Sequence, residues 1–255
     1  MFYDPLSPTR FEDLSVELFR EIFEYLAPHD LIAAFDNLNS RFVSIIRQLP
    51  LYLPNNANMS IDIYRSYIVD ILPKYRSQIV SLHLAEGRCI GAVDWLLCKV
   101  EDYLFSAFTT TLRVIKLIDI HRSTFESLIN HFHLVHHVHT LSIHLDIDMS
   151  NVDTLYYDQS QYMEKAYYWP TIASALPKLQ SLLIFYNECM FDSTAIFNYD
   201  HMTLPIAQNI ETFTMNDCSW LLITTLLNNG HMPRLRRLFI NVRTLPKFQW
   251  FVTYF

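Results

Sequence analysis

The first fifty residues alternate apolar and polar positions with the period of short helices. Between Leu14 and Leu26 apolar residues recur every three or four positions, and most of the residues between them are charged. Ser15 stands where a helix N-cap is expected, and Asp30 and Asn39 stand in the same position before two later apolar stretches. The pattern therefore predicts three short amphipathic helices, too small to enclose a core of their own, whose apolar faces rest on a partner or on the next domain.

A second apolar pattern returns six times in the rest of the chain. Its first positions, 79, 112, 138, 179, 210 and 235, lie 33, 26, 41, 31 and 25 residues apart, and the intervals also contain stretches with helical periodicity. A strand followed by a helix, repeated at such intervals, predicts stacked units that share one core. The six copies are Ile79-x-x-Leu82-x-Leu84, Leu112-x-x-Ile115-x-Leu117, Val138-x-x-Leu141-x-Ile143, Leu179-x-x-Leu182-x-Ile184, Ile210-x-x-Phe213-x-Met215 and Leu235-x-x-Leu238-x-Ile240.

Residues between the apolar positions of each strand are predicted to face away from the core, because side chains alternate across a strand. Leu183 and Phe239 are apolar where a solvated sheet favours polar side chains. Two explanations stay open: the face is a contact surface, or a loop or helix covers it. If it is a contact surface, the predicted target-binding residues on the strands are His83, Lys116, Ser142, Leu183, Thr214 and Phe239.

The longest interval contains an insertion, Asp146 to Trp169, that combines carboxylates with many aromatic residues. Tyrosine and tryptophan are favoured binding anchors, because they bury a large area and keep a polar group. We therefore add Tyr156 and Tyr157 to the predicted target-binding residues, and the carboxylates indicate a basic partner segment. The alternative is a solvated acidic insertion without a binding role.

Composition and charge narrow the classes of function. The chain has 51% hydrophobic and 18% charged residues, which predicts that most of it folds. Its net charge of −7 argues against a nucleic-acid partner. No apolar stretch approaches the roughly 20 residues that span a bilayer, and the N-terminus does not resemble a signal peptide. We expect no membrane association, and location in the cytoplasm, the nucleus or both.

The residue pattern offers little support for a metal site or a catalytic site. The four cysteines are scattered, and the three glycines are too few for a phosphate-binding loop. A run of histidines from His131 to His144 has no metalloprotease spacing. Asp146-x-Asp148 is similar to the start of a haloacid-dehalogenase-type phosphatase motif, but the other motifs of that family are missing. We expect no catalytic residues, no metal and no cofactor, and an enzyme remains the least favoured alternative.

The N-terminal segment resembles the F-box family. The resemblance lies in residues 11–18 (FEDLSVEL), 22–31 (IFEYLAPHDL) and 38–42 (LNSRF). In that family the segment docks on the small adaptor Skp1, which links it to a cullin scaffold and to a ubiquitin-conjugating enzyme. The resemblance thus implies a Skp1-like adaptor as partner here. The adaptor-binding residues it implies are Leu14, Ser15, Leu18, Ile22, Phe23, Leu26, Pro28 and Leu31.

The six repeated units resemble leucine-rich repeats of the irregular kind that often follow an F-box. The expected fold is therefore α/β: a three-helix F-box at 1–50, a linking segment with a helix at 51–76, and a leucine-rich-repeat-like solenoid with a parallel sheet and outer helices at 77–255. The apolar end at Phe255 leaves open whether the natural chain is longer or pairs there.

Together these resemblances imply a non-catalytic substrate-receptor subunit of a Skp1-cullin-F-box ubiquitin ligase, which binds an unidentified target protein through the repeats. The alternative is a repeat scaffold for protein–protein interaction whose N-terminal helices only cap the solenoid.

Overall fold

Helices precede a sheet that follows the chain in order. A computed structural model describes residues 10–54, 59–86, 91–93, 96, 110–146, 168–186, 206–216, 227, 230–241 and 251–252. The helices are α1 (Val16–Glu24), α2 (Pro28–Phe35), α3 (Ser40–Ile46), α4 (Ile61–Ser66), α5 (Leu72–Tyr75), α6 (Arg122–Ile129) and α7 (Tyr168–Ala175). The strands are β1 (Leu51–Tyr52), β2 (Ile79–Ala85), β3 (Val114–His121), β4 (Thr140–Asp146), β5 (Ser181–Tyr186), β6 (Thr212–Asn216), β7 (Arg237–Asn241) and β8 (Phe251–Val252).

Two of the three predicted helix caps are confirmed. The Ser15 hydroxyl accepts a hydrogen bond from the backbone N–H of Leu18 at 3.4 Å, and the Asn39 side chain accepts one from Phe42 N–H at 3.0 Å. These side chains satisfy N–H groups that have no partner within the first turn of a helix.

The third predicted cap is wrong. The helix α2 begins at Pro28, with Ala27 as the N-cap, and Asp30 lies inside the first turn. Proline suits the first helical position, because its missing N–H would have no helical acceptor there and its φ is already helical. The proline therefore starts the helix that it was expected to precede.

The helix expected between Ser60 and Leu72 extends to Tyr75 in three segments. Ser60 caps α4, and a π-helical turn, Tyr67–Ile71, joins α4 to α5. The turn ends two residues before Pro73, which has no N–H for a carbonyl one turn back. The local change in helix type has an identifiable cause in the sequence.

Within the described residues the sheet has eight strands in the order β1 to β8, so each strand after β1 pairs with the one before it. The first seven are parallel, and β8 pairs antiparallel with β7. The predicted α/β class with a parallel sheet is confirmed. The central apolar residues of the six predicted strands are each 7% exposed or less and lie in one core, as predicted: Leu82, Ile115, Leu141, Leu182, Phe213 and Leu238.

A repeated backbone contact joins successive units. The carbonyl of the residue before a strand accepts hydrogen bonds from two consecutive N–H groups of the next unit, at 2.8–3.0 Å. The acceptors stand at the same place in each apolar pattern, one residue after its first position. The four acceptors with both bonds are Arg113, His139, Gln180 and Glu211.

Two side-chain contacts also link equivalent positions of successive units, at the residue before the apolar pattern. Lys178 contacts Nδ1 of His137 at 2.7 Å, and Nη1 of Arg234 donates to Oδ1 of Asn209 at 3.1 Å. Gln78 occupies the same position and donates to the carbonyls at the end of α3. The N-terminal helices thus join the sheet through the same side-chain position that joins unit to unit.

The strand β1 extends the sheet into the segment that was expected to be only a link. Leu51 is buried and pairs with Ile79 at the start of β2. One hydrophobic core runs from Phe19 in α1 to Leu238 in β7. The N-terminal helices therefore bury their inner faces against the rest of the same chain.

Candidate functional site

The helix α1 buries one face and exposes another. Phe19 and Phe23 are 0% and 2% exposed and pack among the aromatic rings of Phe35 and Phe42. Their ring centroids lie 4.8 to 6.4 Å apart, as in many aromatic clusters. This cluster fixes which face of α1 turns outward.

Three apolar side chains occupy that outward face and form what we call the first-helix stripe: Leu18, Ile22 and Tyr25. Their exposed fractions are 45%, 36% and 89%. Spacings of four and three residues put them on one side of α1, about 100° from Phe19, with Tyr25 as the C-cap residue of the helix. A compact row of exposed apolar residues on a helix is typical of a surface that a partner covers.

The structure divides the predicted adaptor-binding residues between the two faces. Leu18 and Ile22 lie on the exposed stripe, Ser15 is exposed, and Leu14 and Leu26 are half-buried. The other three belong to the chain's own core: Phe23, Pro28 and Leu31. The predicted single apolar face is therefore corrected, because α1 has apolar side chains over more than half its circumference.

The expectations for α1 missed Phe19 and Tyr25. Phe19 faces inward because it packs in a cluster with aromatic residues of α2 and α3. The periodicity of α1 alone carries no information about those neighbours. A helical wheel centred on Leu18 would have found Tyr25, since it follows at the seventh position.

Carboxylates border the first-helix stripe. Glu17, Glu21 and Glu24 are all exposed. The Glu17 carboxylate accepts a hydrogen bond from its own backbone N–H and another from the Ser15 hydroxyl. These bonds, the backbone one first, hold the pKa of Glu17 below its usual range. A partner that covers the stripe meets an apolar centre with an acidic border.

The segment before α1 is held by a cation from α3. The guanidinium of Arg41 donates to the carbonyls of Glu12 and Leu14, the latter at 2.6 Å, and lies 5.3 Å from the centroid of the Phe19 ring. A guanidinium over an aromatic face adds a cation–π contact to its hydrogen bonds. Arg41 thus fixes the start of α1 on the aromatic cluster.

A buried carboxylate joins α2 to α5. Asp36, at the end of α2, is 5% exposed and accepts hydrogen bonds from the Lys74 ammonium and the Tyr75 hydroxyl. Burial is the largest influence and would raise the pKa of Asp36, but the two hydrogen bonds and the nearby positive charges hold it below its usual range. Burial and then the hydrogen bond to Asp36 raise the pKa of Tyr75.

A second contact joins α2 to the π-helical turn. The Tyr67 hydroxyl lies 2.8 Å from Nδ1 of His29 and accepts the backbone N–H of His29 at 3.3 Å. Burial raises the pKa of Tyr67 to about 12, so its hydroxyl stays protonated near neutral pH. Both contacts hold the N-terminal helices on the segment that leads into the sheet.

A second surface lies on the sheet, on the side away from the core. Strand register aligns its outward residues in two rows, which we call the two-row sheet face. The first row is Ser81, Val114, Thr140, Ser181, Thr212 and Arg237. The second is His83, Lys116, Ser142, Leu183, Thr214 and Phe239. The second row contains all six strand residues predicted to bind a target.

Exposure differs along the two-row sheet face. Lys116 and Arg237 are exposed, Phe239 is 42% exposed, Leu183 is half-buried, and Ser142 is buried. Phe239 pairs with Phe251 of β8 across the strands. Tyr156 and Tyr157, and most of the insertion that contains them, lie outside the described residues.

The charge near the β2 end of this face is positive. Burial, and then the Lys116 ammonium, hold the pKa of His83 below its usual range. The His83 ring is therefore mostly uncharged at neutral pH, and Lys116 provides the charge beside it. Both side chains belong to neighbouring positions of the second row.

Two histidines of the run His131 to His144 contact backbone carbonyls of the preceding turn. His131 Nδ1 lies 3.0 Å from the carbonyl of Ser127, and His133 Nδ1 lies 2.7 Å from that of Asn130. Among the residues that the structure describes, no group of three or more His, Cys, Asp or Glu side chains could hold a metal ion. Within the same ranges no helix has both the length and the apolar character needed to cross a bilayer.

No protein-family model matches the chain. The search of curated proteins also finds no match.

Proposed function

We propose that the chain is the target-binding subunit of a Skp1-cullin-F-box ubiquitin ligase. The first-helix stripe docks on a Skp1-like adaptor, and the two-row sheet face holds the target protein. The observation that carries the proposal is the exposed stripe itself, three apolar side chains beside the face of α1 that is already buried. In this proposal the chain positions a target and performs no chemical step.

Two further observations support the proposal. The resemblance to the F-box family covers roughly the first fifty residues, the segment that contains α1 to α3. The repeated backbone contact and the in-order parallel sheet support the leucine-rich-repeat-like interpretation of the sheet, because stacked units repeat one geometry.

A second candidate function is a protein-interaction scaffold in which α1 to α3 only cap the sheet. The observation that favours it is Gln78, whose amide donates to the carbonyls of Ile46 and Leu49 at 2.6 and 2.8 Å. The contact ties the helices to the first units as a terminal cap would be tied. A cap has no need of the apolar stripe on its outer side, and this difference separates the two candidates.

The test is capture of a recombinant Skp1-like adaptor by the double variant Leu18→Asp with Ile22→Asp. Both side chains are exposed, so the fold should persist while two carboxylates enter the apolar contact. We expect adaptor binding to fall below detection in calorimetry. The matched control is Ile61→Asp with Val69→Asp, which changes two apolar residues that are 69% and 53% exposed elsewhere on the chain. Adaptor binding by the Leu18/Ile22 variant equal to that of the control would reject the ligase proposal in favour of the scaffold.

A further inference from the structure

The chemistry of the two-row sheet face defines the kind of target segment that it fits, an inference that rests on the proposed role as a target-binding subunit. We propose that this face binds an extended peptide segment with an Asp or Glu residue at one end and an apolar residue about six positions away. The acidic residue lies at Lys116, and the apolar residue lies at Phe239.

The charges of the face select the acidic end. Lys116 is exposed in the second row and Arg237 in the first, and neither row contains Asp or Glu. A carboxylate of the segment therefore meets a cation without a competing anion in either row, which favours it over a basic segment. The expectation of a basic partner rested on carboxylates of residues 146–169, most of which lie outside the described residues.

The apolar residues of the same row select the other end. Leu183 lies two strands from Lys116, and Phe239 lies four strands away. Neighbouring strands are about 4.8 Å apart, so the distance from Lys116 to Phe239 is roughly 19 Å. An extended chain advances about 3.3 Å per residue, which separates the two contacts by about six residues.

Hydroxyl groups between these contacts suit a segment that crosses the strands. Backbone N–H and C=O groups of inner strands already pair with neighbouring strands, so the segment must find its hydrogen bonds on side chains. Thr140, Ser181, Thr212 and Thr214 are half-buried on the two rows. A hydroxyl both donates and accepts, and can therefore serve either backbone group of the segment.

The experiment selects random dodecapeptides displayed on phage against the whole chain. We expect the enriched sequences to place Asp or Glu about six residues from a Leu, Phe, Tyr or Trp. The strongest of them, made as a fluorescent peptide, should bind Lys116→Glu at least about tenfold more weakly than the parent, because a charge reversal replaces attraction by repulsion. Lys116→Arg should retain binding. A new selection on Lys116→Glu should replace the acidic preference by Lys or Arg.

Lys178→Glu is the matched control, since Lys178 is also exposed but contacts His137 away from the two-row sheet face. It should leave peptide affinity unchanged. A selection without acidic preference, one without any enriched sequence, or an acidic preference that Lys116→Glu does not alter would each overturn the inference. Adaptor capture by the parent protein is measured separately. If the parent selects acidic peptides but does not capture the adaptor, the ligase role alone is rejected. If it captures the adaptor but shows no acidic preference, the target class alone is rejected.

Discussion

Individual side chains decide how the N-terminal helices are held. Asp36 stands at the end of α2, and its buried carboxylate accepts hydrogen bonds from Lys74 and Tyr75, more than thirty residues later. The pattern of apolar residues marked neither partner, because the contact depends on where two helices meet. The caps Ser15 and Asn39, by contrast, are local in sequence and were predictable.

Replacement of Asp36 by Asn should lower the stability of the chain by about 1–3 kcal/mol, because the ammonium of Lys74 loses its anion and the buried Tyr75 hydroxyl loses a charged acceptor. Thermal unfolding at neutral pH measures the loss. Glu21→Gln, at an exposed position on α1, is the control and should have no effect.

The same variant has an expected pH dependence. The pKa of Asp36 is lowered in the folded chain, so the carboxylate contributes its stability above the usual value of 3.8 and loses it as the pH falls toward the folded pKa. The difference in melting temperature between parent and Asp36→Asn should therefore be constant at neutral pH and shrink below about pH 4. A constant difference down to pH 3 would contradict the assigned role of the charge.

The helices and strands show which parts of the fold could be predicted from the sequence. The six apolar patterns gave all six inner parallel strands, because a strand that is buried on one face carries its own period. β1 was missed, since two residues are too short for any period, and β8 lacks the pattern. In α1 apolar residues cover more than half of the helix circumference. The apolar period therefore predicted the helix, but the tertiary contacts of Phe19 determine which face is buried.

Replacing one strand leucine by alanine on each face of the sheet should distinguish the core face from the outward face. Leu141→Ala should cost about 2–5 kcal/mol, because Leu141 is 0% exposed at the centre of the core. Leu183→Ala, the same change on the next strand, should cost roughly half as much or less, since that side chain is half-buried on the opposite face. Chemical denaturation compares the two, and equal losses would contradict the assignment of faces.

At the scale of the molecule, helices and sheet share one core, so they should unfold together. All four tryptophans, Trp95, Trp169, Trp220 and Trp250, follow the N-terminal helices in the sequence. Phe19→Ala in α1 should remove roughly 3–5 kcal/mol. Tryptophan fluorescence should report the resulting fall in melting temperature, although no tryptophan lies in the N-terminal helices α1 to α5. An unchanged fluorescence transition, with circular dichroism showing early loss of helix, would indicate two independent units.

The in-order sheet also bears on how the chain is made. Each strand from β2 to β8 pairs with a strand that the ribosome has already released, and none waits for a later one. The six apolar patterns start 25 to 41 residues apart, so each pairing closes a non-local loop, but every such loop lies within chain that has already been made. Synthesis can therefore add units one at a time, and the residues that hold the N-terminal helices, Tyr67, Tyr75 and Gln78, are all made before the later strands.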